Sequence, residues 1–407
     1  MTILDDDKVD HLIVLVGGNP LPNYVAARLL AKHGATLHLV HTLKTYGIAQ
    51  RLATCLSLPA EALHLGGAFK PPQFVQVDER DPRDIFAKIS ALFELDRGSN
   101  RAAIPRGQRV GLHYTSGNRP MSVHAYDAVE AKRGDAVFSY LDAGRLEMLI
   151  HDAARITRAV RADKLLNMTL ETLFKLQGLK ESSHASSATP LQPGLAAVLA
   201  ELHTTDEGAK AWFDWRRNGS DGWKKLPKNQ PKLAKVEAVL RQMCGGEPTP
   251  QQIADALGYD SLPDSTVWWK SKWLEDHVLA QLQIAIVGRE DTNDARKGVQ
   301  RIREGHGDRD FDLDVVVMRA YQLFAFSCIV SNDPQSCKDH LMEAYVRVRQ
   351  AGGDEARVGL VCLYKEAQAL QKEITGDLDA EGKVRVFGQA DLLILKDRIT
   401  EWLDRQP

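Results

Sequence analysis

Two stretches of this chain repeat one pattern, and that pattern restricts its fold more than any other feature. Val110 to His124 reads VGLHYTSGNRPMSVH: a short apolar strand, a Thr-Ser-Gly-Asn-Arg turn, and a helix starting near Pro120 and Met121. Nearer the N-terminus, His11 to Val16 (HLIVLV) is a continuous apolar run, followed by Gly17-Gly18-Asn19-Pro20-Leu21-Pro22-Asn23 and an apolar-periodic helix from Tyr24 to His33. Strands apolar on both faces belong inside a parallel sheet covered by helices. A third strand, Thr36 to His41, ends in His41-Thr42-Leu43-Lys44-Thr45. In open sheets of this kind ligands sit beyond the carboxyl ends of the strands, so the three loops are expected to converge on one pocket.

The chemistry of these loops suits an anion. Glycine lets a ligand approach the main chain, and a helix that starts after proline leaves amides unpaired. Such amides, at the positive end of the helix dipole, hold phosphate, and Arg119 adds a planar charged fork beside them. Taken singly, either loop reads equally as an ordinary strand-to-helix turn. Gly17-Gly18-Asn19-Pro20 is not the GxGxxG fingerprint, and no acidic residue closes a following strand, which argues against a redox dinucleotide.

These residues resemble the CRISPR-associated Rossmann fold, CARF, a sensor domain. In its nuclease-fused members a VGGxPLPN loop and a TGGTKxMS segment flank a site for cyclic oligoadenylate. Here VGGNPLPN spans Val16 to Asn23, and Thr115-Ser116-Gly117-Asn118-Arg119-Pro120-Met121-Ser122 stands for the second motif, with Ser116 for Gly, Asn118 for Thr and Arg119 for Lys. The resemblance implies that Gly17, Gly18, Asn19, Pro20, Thr115, Ser116, Gly117, Asn118, Arg119 and Met121 bind cyclic tetra-adenylate or hexa-adenylate, joined by His41, Thr42 and Thr45. A ligand with rotational symmetry is naturally held across a two-fold axis, which implies a homodimer.

At 407 residues the chain has room for two or three domains. Its formal charge of −2 offers nucleic acid no global attraction, so any such contact must come from local patches. Five cysteines without a CxxC pair read as free thiols of a reducing compartment. No apolar run is long enough for a membrane span and the start MTILDDDKVD is no signal peptide, so a cytoplasmic protein with no membrane partner is expected.

Residues 1–160 alternate strands and helices, ending in the strand Ala136 to Leu141 with Asp142-Ala143-Gly144 as its exit. The apolar rhythm fades from Thr169 to Pro193, and Glu181 to Pro190 is Ser-rich, so 161–193 is expected as a linker. Residues 194–265 read helical, with a winged-helix-like module as one reading. Within them Thr249 to Gly258 (TPQQIADALG) looks like the first helix of a helix-turn-helix, but Tyr259 to Thr266, next in line, is short, acidic and broken by Pro263. Trp212, Trp215 and Trp223 alternate with Arg216, Arg217, Lys224 and Lys225, a mixture that suits base stacking or core packing with a basic rim.

Residues 266–407 carry the second motif set. Trp273-Leu274-Glu275 opens a helix; Phe311 to Met318 and Tyr321 to Val330 read as two strands of a hairpin. A helix behind an acidic-tipped hairpin resembles the core of the PD-(D/E)xK nuclease fold, whose effectors in this family carry WLE on the helix, an LDV-type Asp on the first strand and ECKT on the second. By that resemblance Glu275 and Asp314 are catalytic, and Asp314 is the ligand for Mn²⁺ or Mg²⁺ if the site is active. The ECKT slot falls on Ser327-Cys328-Ile329-Val330, so Ser327 replaces the glutamate and Ile329 the lysine. The chemistry loses a metal-binding carboxylate and the cation that stabilises the phosphorane. Glu343 and Lys338 on the next helix are possible substitutes, although Glu343 reads equally as a helix-face charge.

The expected molecule is α/β, with an N-terminal Rossmann-like CARF domain, a helical middle and a C-terminal restriction-endonuclease-like domain. Its expected role is that of a type III CRISPR effector that binds cyclic oligoadenylate as a homodimer and gates a nuclease-like domain, degenerate in its site, acting on DNA or RNA. Two other readings stay open: a ligand-responsive DNA-binding regulator, and a ring nuclease that degrades its ligand through His41, Thr115 and Arg119.

Overall fold

β1 (Val9–Leu15) is buried along nearly its whole length, and the N-terminal lobe is built around it. The computed structural model describes residues 5–57, 68–95, 102–152, 157–181, 186–217, 230–247, 249–261, 263–303 and 310–406. After β1 come α1 (Leu21–Leu30), β2 (Ala31–His41), α2 (Tyr46–Ser57), β3 (Gln73–Gln76), α3 (Pro82–Ala91), β4 (Val110–His113), α4 (Arg119–Lys132), β5 (Val137–Asp142), β6 (Glu147–His151) and β7 (Thr157–Arg161). They form one sheet in the order β3-β2-β1-β4-β5-β6-β7. The first five strands are parallel, as runs buried on both faces require.

Two expectations for this lobe need correction. The first helix starts at Leu21 rather than Tyr24, because proline in its first turn favours an early start, and it gives way at Ala31, which already pairs with Val9. Asp142-Ala143-Gly144 is no exit from the sheet. The Asp142 side chain accepts from the amides of Gly144 (2.8 Å) and Arg145 (3.2 Å), an Asx turn that folds the chain back into the antiparallel pair β6–β7.

The remainder runs through α5 (Leu170–Gln177), β8 (Leu179–Glu181), α6 (Pro193–Leu202), α7 (Asp206–Arg217), α8 (Ala234–Met243), α9 (Pro250–Ala256), α10 (Trp273–Ala285), β9 (Thr292–Arg303), β10 (Asp310–Arg319), β11 (Gln322–Ile329), α11 (Pro334–Gly352), β12 (Arg357–Cys362), α12 (Ala367–Leu378), β13 (Val384–Phe387) and α13 (Leu395–Arg405). The second sheet has the order β13-β12-β11-β10-β9-β8. Its β10–β11 hairpin is antiparallel, and β11, β12 and β13 are parallel.

The segment expected as a linker is in part structural. α5 is capped by Thr169 and closed by Gly178 at φ +71°, and β8 pairs with β9. α5 packs on α1 and α2 of the first lobe and on α11 of the second. One buried apolar cluster therefore runs from Val14 and Leu37 through Phe174 and Leu176 to Val316, Leu341 and Leu360.

The middle region is helical as expected, but among its described residues no strand supplies a wing. α9 has a full capping box on Thr249 and Gln252. The helix after it is α10, buried against the second sheet and unable to enter a DNA groove. Trp212 and Trp215 belong to the same apolar core, while Trp223, Lys224 and Lys225 lie outside the described residues. Among the described residues no helix is long and apolar enough to cross a membrane.

Candidate functional site

In the first sheet β1 lies between β2 and β4, so successive connections leave it in opposite directions, and the crevice at its carboxyl end is the switch point of the fold. Both glycine loops end there. A Cβ on Gly17 would lie 2.6 Å from the amide nitrogen of Gly117, so the two loops touch main chain to main chain. Gly117 itself sits at φ +86°, a conformation that suits glycine. Ser116 Oγ donates to the Asn19 carbonyl at 3.1 Å, locking the loops together. Asn118 caps α4, its side chain accepting from the Met121 amide at 2.9 Å, and Pro120 occupies the first turn.

The other expected ligand residues divide into free and engaged groups. Gly18 and Arg119 are exposed, and Arg119 has no hydrogen bond or ion pair among the described residues. Thr115 Oγ1 accepts from the Leu141 amide at 2.6 Å, Met121 is buried beneath the loop, and Pro20 is buried at the start of α1. His41 is 2 % exposed, with Nδ1 3.0 Å from the Thr42 carbonyl. Thr42 and Thr45 close a small turn, the Thr42 amide donating to Thr45 Oγ1 at 2.9 Å. The Asn19 Oδ1 accepts from Leu21 N and from Gln177 Nε2, each at 3.1 Å. Of these side chains, His41 is thus tied to its loop through Nδ1 and Thr115 to β5 through a lone pair of its hydroxyl.

In the second sheet the β10–β11 register sets Val315 against Phe326, and hence Asp314 against Ser327. The Cys328 amide donates to Asp314 Oδ2 at 2.7 Å. A cavity of about 140 Å³ beside this pair is lined by Asp312, Asp314, Ser327, His340, Glu343 and Arg347. Ser327 faces it, whereas Ile329 packs on the apolar core. Glu343 lines the cavity and is ion-paired with Arg347. Lys338 points elsewhere, held by Glu373 (2.6 Å) and Asp377 (2.9 Å) of α12, and so does not replace the lost cation.

Glu275 lies on the first turn of α10 and is 5 % exposed. Burial, and next to it the Asp314 carboxylate, push its carboxyl up to about 8. Burial also raises Asp314, against the pull of the Cys328 amide. The cation in reach is Lys272, whose Nζ is 2.6 Å from Glu275 Oε1. Burial opposes its charge, but Glu275 and then Asp314 and Asp312 outweigh that and hold the ammonium above its ordinary range.

Sequence reasoning missed Lys272, Asp312, His340 and Arg347. Lys272 was within reach of the helix rule, three residues before Glu275, and Asp312 shares a strand face with Asp314 by alternation. His340 and Arg347 needed the tertiary packing of α11 on the sheet.

The divalent cation that the sequence resemblance implies has a poor fit here. Among the described residues no three His, Cys, Asp or Glu side chains are arranged to hold a metal ion. Glu275 is bound to Lys272, one oxygen of Asp314 is taken by an amide, and Ser327 brings no charge. Among the described residues that line the cavity, Asp312 Oδ1 alone is a buried oxygen without a partner.

The two sheets define a class by architecture: a seven-stranded lobe built on a parallel α/β core, joined through helices to a second lobe on a six-stranded mixed sheet, an arrangement shared along nearly its whole length with solved proteins. Among solved structures, protein VC1899 from Vibrio cholerae superimposes with a TM-score of 0.69 at 14 % identity, over 97 % of this chain and 98 % of its own. Can2 from Sulfobacillus thermosulfidooxidans, solved in complex with cyclic tetra-adenylate, superimposes with a TM-score of 0.66 at 14 % identity, over 97 % of both chains. No protein-family profile matches the chain, and a search of curated proteins returns no match.

Proposed function

We propose that this chain is a type III CRISPR-associated sensor that binds a cyclic oligoadenylate, tetra- or hexa-adenylate, at the β1/β4 crevice in a homodimer. The nuclease-like lobe is the responding part, and DNA or RNA is the partner its fold would engage. One observation carries the reading. Two glycine loops meet main chain to main chain at the switch point, beside the capped start of α4 and the free guanidinium of Arg119, in a fold shared with a protein solved with cyclic tetra-adenylate. Amides and one unpaired arginine give several phosphates donors without a metal.

The dimer follows from ligand symmetry, since one crevice offers donors to half of a ring and a two-fold partner supplies the rest. Differential affinity for two dimer arrangements is what would move the second lobe. Calorimetry with cyclic tetra- and hexa-adenylate tests this. Wild type should bind one of the two tightly; Arg119→Ala should weaken binding by roughly tenfold or more, as for a lost charge-assisted contact, and Gly18→Trp should block the crevice. Absence of binding to either ring by folded wild type would remove the proposal.

A further inference from the structure

The nuclease-like site holds a lysine where its fold would lead one to look for a metal ion. We propose that the ammonium of Lys272 takes over from a divalent cation as the counter-charge of Glu275, Asp314 and Asp312, so that this site is closed to Mn²⁺ and Mg²⁺. The inference rests on the second lobe alone and does not depend on what the first lobe binds.

A pair at positions i and i+3 on a helix surface usually exposes both partners and does little. Here Glu275 is 5 % exposed while the stem of Lys272 reaches it from a side chain that is 35 % exposed. The ammonium enters a buried acidic group from its rim. Its direction is fixed by the backbone. Trp268–Lys272 forms a π-helical turn directly before α10, and such one-residue insertions rotate the side chains that follow relative to a regular helix.

Two buried indoles hold that turn. Trp268 Nε1 donates to Asp276 Oδ2 at 2.8 Å, and Trp269 Nε1 donates to Ser265 Oγ at 3.0 Å. Asp276 is in turn fixed by the amides of Leu191 (2.9 Å) and Gln192 (3.2 Å) and by Lys297, so it is a structural anchor and no ligand candidate. The anchored turn fixes where the Lys272 stem leaves the backbone.

The carboxyl oxygens already have partners or cationic neighbours. A hard dication needs several oxygen ligands, at least one or two of them carboxylate, with nothing cationic among them. Glu275 Oε1 receives Lys272, and Asp314 Oδ2 receives the Cys328 amide at 2.7 Å. In the cavity beside Asp314, Arg347, paired with Glu343, brings a second positive charge and donates towards the Asp312 carbonyl at 3.5 Å. Two cations, Lys272 and Arg347, thus lie among the four carboxyl groups of Glu275, Asp314, Asp312 and Glu343. Ammonium and dication are alternatives for one role.

The test is Mn²⁺ binding to the full chain, read by the loss of the free-ion signal in electron paramagnetic resonance and by thermal shift. Wild type should take up no Mn²⁺ at this site at millimolar concentration. Lys272→Met should gain a site at least tenfold tighter than any in wild type, with a Mn²⁺-dependent rise in Tm, and the added Asp314→Asn should abolish it. If Lys272→Met does not fold, Lys272→Met with Glu275→Gln removes both charges of the pair and should still gain an Asp314-dependent site. Uptake by wild type that disappears in Asp314→Asn would overturn the proposal. So would folded Lys272 variants that remain unable to bind the ion.

Discussion

His38 and His113 are uncharged residues in the middle of the first sheet, each fully buried. His38 Nε2 lies 3.0 Å from His11 Nδ1, and His113 Nδ1 lies 3.0 Å from Ser139 Oγ; the remaining ring nitrogen of each has no partner. Burial lowers His38 to about 3, with His11 adding to the effect, and burial alone lowers His113 to about 3. An unfolded histidine titrates near 6.5, so between the two values the unfolded chain binds more protons and folding is favoured by rising pH. Stability is fully present above about pH 6.5 and is lost as the pH falls, by about 1.4 kcal/mol per unit for each histidine. The urea midpoint should therefore drop steeply from pH 7 to pH 5, and His113→Gln should flatten that slope even if it lowers the midpoint at pH 7. An equal midpoint at both pH values would contradict it. Neither histidine was singled out from the sequence, because nothing in VGLHYTSG or TLHLVH distinguishes a buried ring from one at a loop edge.

The elements that carry the crevice were legible because each announces itself locally. HLIVLV and VGLH are strands buried on both faces, and Asn118, Pro120 and Thr249, Pro250 mark helix starts by side-chain capping and fixed φ. α5 was not legible for a physical reason. It is only eight residues long: the exposed Glu171 and Lys175, one turn apart, and the buried Leu170, Leu173 and Phe174 do follow the helical period, but two turns are too few to stand out ahead of a Ser-rich stretch. The crevice makes a sharper prediction at this scale. Gly17→Ala would put a methyl 2.6 Å from the main chain of Gly117, where no flexible side chain can yield, whereas a Cβ on Gly18 meets nothing within 4 Å. Gly17→Ala should part the two loops and cost cyclic oligoadenylate binding on the order of tenfold or more, about 1.4 kcal/mol, while Gly18→Ala should bind like wild type. Calorimetry on the pair decides it, and equal affinities would mean that the loop contact plays no part in the site.

At the scale of the molecule the two lobes are joined where the sequence suggested a tether. Asn19, in the first glycine loop, is held by Gln177 of α5 and faces the end of α11, where Gly353 (φ +72°) and Glu355 follow the helix. Glu355 is fully buried, neither oxygen makes a hydrogen bond of normal geometry, and burial followed by Asp354 pushes its carboxyl up to about 7. The same helix, 19 residues or about 28 Å long, carries His340, Glu343 and Arg347 on the wall of the second cavity. α11 thus offers a packed element that touches both the glycine loop at its end and the cavity beside Asp314 along its side. The junction tests this from the far side. A Cβ on Gly353 would lie 2.3 Å from Asn19 Nδ2 and 2.8 Å from Glu355 Oε2, at a φ that already disfavours a side chain. Gly353→Ala should push Asn19 and its loop towards the crevice and weaken cyclic oligoadenylate binding by at least about tenfold, although Gly353 belongs to the other lobe. Gly376→Ala, at a helical position where a Cβ meets nothing within 4 Å, is the matched control and should bind like wild type. Calorimetry on folded protein reads the difference. Unchanged affinity in Gly353→Ala would show that the crevice does not feel the end of α11, and coupling between the lobes would then have to run through α5.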